Sequence, residues 1–166
     1  MVRVDLAAPS FEGSAVVDRH LVELNWQQIH ENKSLILSFD PIPGPVHSPD
    51  YLIAVHNAVA RRSWPHTRVA VVWRNDASAT LDWVNRHPAA GGPGALAFPL
   101  IVDPDGRIAA LYGLGDSDHA PLWGQFLIDS SGIIRQATVS GFPVCASVDE
   151  LLRISQTIGC LTVAGR

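Results

Sequence analysis

The chain has 166 residues, of which 47% are hydrophobic and 17% are charged, the composition of a folded domain rather than of a disordered segment. Its net charge is -4, and its eleven arginines and one lysine are scattered, which argues against a nucleic-acid partner. No apolar run has the length of a membrane span, so no membrane partner is expected. With two cysteines there is no disulfide framework, and we expect one domain over residues 1–166, located in the cytoplasm.

The first half of the chain predicts a strand, a proline-rich loop and a helix. Residues 34–39 form a short apolar run that stops at Asp40-Pro41, which is typical of a buried strand. From Pro49 onward, apolar residues recur at every third or fourth position. This spacing predicts a helix, with Arg61 and Arg62 in its last turn, where positive charge suits the helix dipole.

A second strand and helix follow in the same order. Residues 67–73 are rich in β-branched side chains and predict a strand, and Ser78 is the expected N-cap of the helix after it. Residues 98–103 predict another strand, and residues 108–112 predict a short helix that ends before a glycine. Alternating strands and helices are typical of an α/β protein.

The pattern changes near the end of the chain. Residues 125–129 and 133–139 flank a Ser-Ser-Gly turn, which indicates a β-hairpin, and residues 148–158 have the spacing of an amphipathic helix. A hairpin added to alternating β and α elements predicts a three-layer α/β fold whose central sheet has mixed strand directions.

Short sequence motifs, which occur in a fixed order along the chain, make this prediction of an α/β fold more specific. In chain order they are Ala8-Pro9-Ser10-Phe11, Phe39-Asp40-Pro41, Ser48-Pro49, Leu81-Asp82-Trp83-Val84-Asn85, Phe98-Pro99-Leu100, Tyr112-Gly113-Leu114, Gly124-Gln125-Phe126-Leu127-Ile128-Asp129, Gly132-Ile133-Ile134-Arg135-Gln136, and Pro143-Val144 before Ser147-Val148-Asp149-Glu150. Together they resemble the peroxiredoxins, nearest to the alkyl hydroperoxide reductase (AhpC/TSA) and typical two-cysteine branch. The resemblance covers nearly the whole chain and implies a thioredoxin-like fold.

The resemblance also implies a site of the form Pro-x-x-x-Thr-x-x-Cys with a distant arginine. Such a site supplies a thiolate, a hydroxyl that holds the peroxide and a cation that stabilises the transition state. The matching positions here are Pro41, Pro45, Ser48 and Trp123, so only the proline is retained. A serine has no thiolate or sulfenic acid chemistry, proline has no hydroxyl, and tryptophan offers one neutral donor in place of a fixed positive charge.

Two explanations of Ser48 stay open. One is a natural remodelling of the pocket, which the further departures at Pro45 and Trp123 favour. The other is a genuine thiol-dependent peroxidase in which a cysteine at position 48 has been replaced by engineering. The two cysteines of the chain, Cys145 and Cys160, are interpreted as small buried side chains rather than as redox partners.

His47 and Ser48 are the candidate catalytic residues, because an imidazole next to a hydroxyl can move protons near neutral pH. The candidate substrate-binding residues are Pro41, Pro45, Tyr51, Trp123 and Cys145. The histidine spacing fits no ligand pair of a metal site, so no metal is predicted, and no cofactor is implied.

Two classes of function follow from these observations. The first is a peroxiredoxin-like protein repurposed to bind or transform a small organic molecule, in specialised metabolism. The second is a non-catalytic oligomeric scaffold or binding protein. In either case the resemblance implies a homodimer or a higher ring, in which the strand at residues 133–139 pairs edge to edge across a two-fold axis.

Overall fold

The computed structural model describes residues 3–42, 50–61, 63–115, 122–141 and 148–164. The strands are β1 (Glu12–Val17), β2 (His20–Asn25), β3 (Ser34–Asp40), β4 (Thr67–Trp73), β5 (Leu100–Val102), β6 (Trp123–Ile128) and β7 (Ile134–Ser140). The helices are α1 (Trp26–His30), α2 (Asp50–Ala60), α3 (Ala77–Asn85), α4 (Arg107–Leu111) and α5 (Val148–Ala164), with a 3-10 turn at Pro88–Ala90. None of the helices within these ranges has the length and apolar character needed to span a bilayer.

The seven strands form one sheet in the order β2-β1-β5-β4-β3-β6-β7. Strand β4 is parallel to both β3 and β5, whereas the pairs β3–β6, β6–β7, β1–β2 and β1–β5 are antiparallel. The parallel strands are joined through helices, as parallel connections require. The mixed sheet predicted from the sequence is therefore confirmed.

Two apolar layers cover the two faces of the sheet. Alternate residues of β3 point to opposite sides, so Ile36 packs in the layer that contains residues of α2, α3 and α5, while Leu35, Leu37 and Phe39 pack in the layer of α1 and α4. All seven residues of β3 are buried. The three-layer architecture is confirmed, and it follows from a central strand that both faces protect from water.

The N-terminal hairpin of β1 and β2 has no counterpart among the predicted elements. Its two-residue turn is Asp18-Arg19, and both residues have positive φ, at 47° and 69°. This conformation suits the right-handed twist of a hairpin but usually carries Asn-Gly or Asp-Gly. The hairpin was missed because Arg19 occupies a position where glycine gives the usual signal, and because β2 is largely exposed.

Two predicted helix ends are wrong. The N-cap of α3 is Asp76 rather than Ser78, since the Asp76 side chain accepts a hydrogen bond of 2.8 Å from the amide of Ala79. Helix α2 ends at Ala60, so Arg61 follows the helix instead of lying in its last turn, and Arg62 lies outside the described residues. Position along a periodic pattern identifies a helix, but the capping hydrogen bond decides where it begins.

The other predicted elements are confirmed with shifted ends. Strand β5 is shorter than predicted and begins after Pro99, which has no N–H for a ladder bond. Helix α4 lies at residues 107–111, and the hairpin of β6 and β7 occupies the predicted place. Helix α5 is longer than its amphipathic signal, because it continues to Ala164 and so includes position 160.

The segment before Phe11 is fastened to the start of β7. The amide of Asp5 donates to the carbonyl of Ile134, and the amide of Ile134 donates to the carbonyl of Leu6. The guanidinium of Arg135 donates to carboxylate oxygens of Asp129 and Asp5, each at 2.7 Å. Hydrogen bonds with Asp129 and then Asp5 raise the pKa of Arg135, so this cation is held in its charged form.

Replacing Asp76 by Ala should lower the free energy of unfolding by about 1 kcal/mol, because the Ala79 amide loses its capping acceptor. The matched control is Ser78→Ala, an exposed position of the same helix that makes no cap, and its effect should stay within about 0.5 kcal/mol. Equilibrium urea unfolding measures both variants. A larger loss for Ser78→Ala than for Asp76→Ala would show that the cap is assigned to the wrong residue.

Candidate functional site

The end of β3 brings the candidate residues to one edge of the sheet. Phe39 pairs with Gly124 across the β3–β6 ladder, so Pro41, which follows β3, and Trp123, which begins β6, lie at the same end. A Cβ added to Gly124 would lie 2.4 Å from a methyl carbon of Leu114, which packs directly on the strand there. Glycine at position 124 thus permits Leu114 to approach β6 closely beside Trp123.

Of the sequence-predicted site residues, the structure describes Pro41, Tyr51 and Trp123. Tyr51 and Trp123 line one small pocket, whereas Pro41 lines a different and larger cavity. Among the pockets that the described residues form, Pro41 therefore lines a different space from Tyr51 and Trp123. Pro45, His47, Ser48 and Cys145 lie outside the described residues.

Tyr51 and Trp123 stand in a layer of polar side chains between the sheet and α2. The side-chain amide of Gln125 donates a hydrogen bond of 2.9 Å to the Tyr51 hydroxyl, and both residues are buried. Gln125 faces Ser38 across the β3–β6 ladder, and Thr138 on its other side in β7. A buried polar layer of this kind holds a defined arrangement only where its hydrogen bonds are made.

Three buried polar atoms of this layer have no hydrogen-bond partner within the part of the chain that the structure describes. They are the hydroxyl oxygen of Ser38, the amide oxygen of Gln125 and the indole nitrogen of Trp123. Burying a polar atom without a partner costs about 1–3 kcal/mol. These atoms are the ones that a ligand or an ordered water would satisfy.

Ser38 and Gln125 are parts of the site that were not predicted from the sequence. The available signal was a polar residue inside each of two otherwise apolar strands, at residues 34–40 and 123–128. Only the antiparallel register shows that the two polar residues face each other.

The pocket beside Trp123 is small, and its described lining is uncharged. Its described lining residues are Tyr51, Trp123, Gly124, Gln125, Thr138 and Ser140, and none of them carries a charge. Its volume of about 10 Å³ is close to the minimum that holds one water molecule. In the described residues, then, the Trp123 indole and its neighbours fill this side of the site.

A larger cavity of about 150 Å³ opens at the carboxyl ends of β3, β4 and β5. Its apolar lining includes Phe39, Val72 and Leu114, which belong to the core layer of α1 and α4. Crevices at the carboxyl ends of parallel strands are common ligand sites in α/β proteins. Pro41 lines this cavity, which is larger than the pocket beside Trp123.

The described residues hold no group of three histidine, cysteine, aspartate or glutamate side chains that could bind a metal. Among the histidines, His56 uses its Nδ1 atom to accept a hydrogen bond of 3.0 Å from the amide of Ala97, and His47 lies outside the described residues.

Known proteins share the fold of this chain, and one protein family matches most of its length. Residues 4–137 match the AhpC/TSA family. The chain belongs to this peroxiredoxin family. It is 35% identical over 154 residues to the mitochondrial thioredoxin-dependent peroxide reductase of Drosophila melanogaster, a match that covers 92% of this chain and 65% of the relative. The chain thus spans just under two thirds of that relative's length.

Solved structures of peroxiredoxins have the same fold as this chain. The reduced 2-Cys peroxiredoxin of Plasmodium vivax superposes with a TM-score of 0.81 and 26% identity, over 97% of this chain and 99% of that one. Plasmodium yoelii Prx1a superposes with a TM-score of 0.80 and 24% identity, over 96% of this chain and 93% of that one. That protein, modified at its N-terminus, forms an artifactual octamer. The predicted thioredoxin-like peroxiredoxin fold is confirmed.

The Tyr51–Gln125 bond predicts a non-additive pair of substitutions. Tyr51→Phe should lower the free energy of unfolding by about 1 kcal/mol, because the buried Gln125 amide loses its acceptor. Gln125→Met also removes the unsatisfied amide oxygen, so Tyr51→Phe should cost less when Met is at position 125. Urea unfolding of the wild type, both single variants and the double variant measures the coupling. Equal costs of Tyr51→Phe in both backgrounds would contradict the assigned bond.

Proposed function

We propose that this protein is a member of the peroxiredoxin family that does not reduce peroxides through a thiol and instead binds or transforms a small organic molecule. The observation that carries the proposal is Trp123. Its side chain is buried and neutral at the position where the family resemblance implies an arginine. A peroxide-reducing thiolate needs positive charge nearby to lower its pKa and to stabilise the charge of the transition state.

The surroundings of Trp123 support the proposal. The described residues of its pocket supply neutral donors and acceptors only, and the sequence has serine at position 48 and proline at position 45. If the protein transforms its ligand, His47 and Ser48 are the residues proposed to move protons. The cavity of about 150 Å³ beside Pro41 supplies room for a ligand larger than a peroxide.

The alternative is a thiol-dependent peroxidase that carries an introduced serine at position 48. It predicts that a cysteine at this position restores activity without any other change. The two explanations therefore predict different rates of thiol-dependent peroxide consumption by the Ser48→Cys variant.

The test is thiol-dependent consumption of hydrogen peroxide by the wild type, by Ser48→Cys and by Ser48→Cys with Trp123→Arg. The wild type should be inactive. Because Ser48→Cys still lacks the cation, its rate should stay on the order of 100-fold or more below that of an active relative assayed in parallel, the size of effect seen when a charge-stabilising donor is removed. Full activity of Ser48→Cys alone would refute the remodelled site.

The variant Ser48→Cys with Trp123→Arg tests whether the site lacks a cation. It should consume peroxide faster than Ser48→Cys alone. An arginine at a buried position can impair folding, so Ser48→Cys with Trp123→Phe serves as a neutral comparison, and circular dichroism checks that each protein is folded.

We also propose that the protein is a homodimer that pairs through β7. This proposal is supported by the place of β7 at one edge of the sheet and by the exposed side chain of Val139. The N-terminal segment covers the edge only near Ile133 and Ile134, so residues 136–140 are the part proposed to pair. A long exposed edge strand is normally covered, and a two-fold axis lets one strand cover its own copy. One structural neighbour, Plasmodium yoelii Prx1a modified at its N-terminus, forms an octamer that is artifactual. An oligomeric scaffold is accordingly the second candidate function.

Sedimentation velocity at micromolar concentration should give a dimer or a larger species. Val139→Lys should shift the protein toward monomer, because it places a charge on the proposed interface. Leu21→Lys is the matched control, since Leu21 is an exposed residue of β2 at the opposite edge of the sheet. A monomeric wild type, or equal dissociation by both variants, would contradict pairing through β7.

A further inference from the structure

We propose that the cavity at the carboxyl ends of β3, β4 and β5 binds a small organic cation, namely a primary amine that carries one apolar group of about the size of a six-membered ring. This inference rests on the proposed function and names the class of ligand. It is carried by three observations: the volume of the cavity, its apolar wall and the excess of carboxylates around it.

The size and the wall of the cavity define the apolar part of the ligand. The volume of about 150 Å³ matches that of an engineered protein cavity that holds one benzene molecule. Phe39, Val72, Ala109 and Leu114 supply an apolar surface from three directions, since they come from β3, β4 and the α4 region. A ring or a short branched chain would replace water against this surface.

The charged lining defines the polar part of the ligand. Among the described lining residues, the carboxylates are Asp40, Asp103 and Asp105 and the cation is Arg74, so these residues carry an excess of two negative charges. An ammonium group at this rim gains an attractive interaction, whereas a carboxylate ligand would meet like charges. The preference for a cation follows from this balance, with Arg74 counted as fully charged.

Backbone amides hold the carboxylates in place. Asp103 accepts the amides of Ile108 and Ala109 at 3.0 and 2.9 Å through its two oxygens, and Asp40 accepts the amide of Ile42 at 3.1 Å. Asp40 and Asp103 are only 2% and 3% exposed. These hydrogen bonds fix the positions of the two carboxylates in the loops that end β3 and β5.

A neighbouring groove carries charge of the same sign. This groove, of about 700 Å³, shares Asp103 and Asp105 with the cavity and adds Glu12 and Glu23, against the one cation Arg107 among its described lining residues. Clefts lined by one sign of charge raise the local concentration of oppositely charged ligands. The groove therefore favours the approach of a cation to the cavity rather than of an anion.

The probes are benzylamine, benzyl alcohol and benzoate, which share a ring and differ in charge. Titration calorimetry and amide chemical shifts should show benzylamine binding at a dissociation constant in the millimolar range or below, with shifts centred on Phe39, Ala109 and Leu114. Benzyl alcohol should bind about two- to fivefold more weakly, since it lacks the charge of the amine, and benzoate more weakly still. The preference for benzylamine should decrease as salt is added.

Two charge variants test the carboxylate excess. Asp105→Asn should weaken benzylamine binding by about two- to fivefold, and Arg74→Gln should strengthen it by a similar factor. Asp105 is exposed, and asparagine keeps the oxygen that accepts the amide of Arg107, so this variant should fold normally. Asp82→Asn makes the same change in net charge at an exposed position of α3 outside the cavity, and it should leave the affinity unchanged.

One variant with a larger side chain tests whether benzylamine binds in this cavity. Ala110→Leu fills the cavity from α4, where residue 110 is exposed, and it should abolish the shifts at Phe39 and Leu114 while the unfolding curve stays close to that of the wild type. Unchanged binding by this variant would overturn the location. Equal or tighter binding of benzoate would overturn the charge preference, and absence of binding by all three probes would overturn the ligand site.

These outcomes are separable from the failure of the proposed function. Peroxide consumption by the wild-type protein would refute the proposed function whatever the probes do. Failure of the probes together with an inactive Ser48→Cys would remove the amine site and leave the remodelled peroxiredoxin intact.

Discussion

The burial of β3 between β4 and β6 is the constraint on which the rest of this structure depends. Every residue of the strand is buried, so each face needs a covering layer, and the alternation of its side chains assigns each residue to one layer. Leu35, Leu37 and Phe39 face α1 and α4, and Ile36 faces α2 and α5. The same alternation continues to the end of the strand, where the candidate sites lie.

Two different environments result at that end. Ser38 lies in a polar layer with Gln125 and Tyr51, whereas Phe39, its neighbour in the chain, forms part of the wall of the larger cavity. The two spaces lie at opposite faces of the sheet and have different described lining residues. The proposed loss of peroxide chemistry and the proposed ligand site therefore involve different side chains.

Trp123 illustrates what such a change involves. At the position where the family resemblance implies an arginine, its indole supplies apolar volume and no charge, and the described lining of its pocket leaves room for about one water molecule. The neighbouring described residues are neutral, and Gly124 leaves space for Leu114 to pack on the strand. The buried indole N–H and the amide oxygen of Gln125 stay without described partners, which is a cost in stability that the packing of the two core layers offsets.

The family and the order of most strands and helices could be predicted from the sequence alone, because apolar periodicity and short motifs are local properties of the chain. The sequence also has Pro45, Ser48 and Trp123 where the family resemblance implies a threonine, a cysteine and an arginine. It did not reveal the turn at Asp18-Arg19 or the cap at Asp76, since these depend on backbone conformation more than on residue pattern. The opposition of Ser38 and Gln125, and the convergence of Asp40, Asp103 and Arg74 on one cavity, were decided only by the tertiary structure. The pairing of β3 with β6 joins residues that are distant in sequence, and alternation within one strand shows which face a residue takes but not which residue of another strand lies opposite.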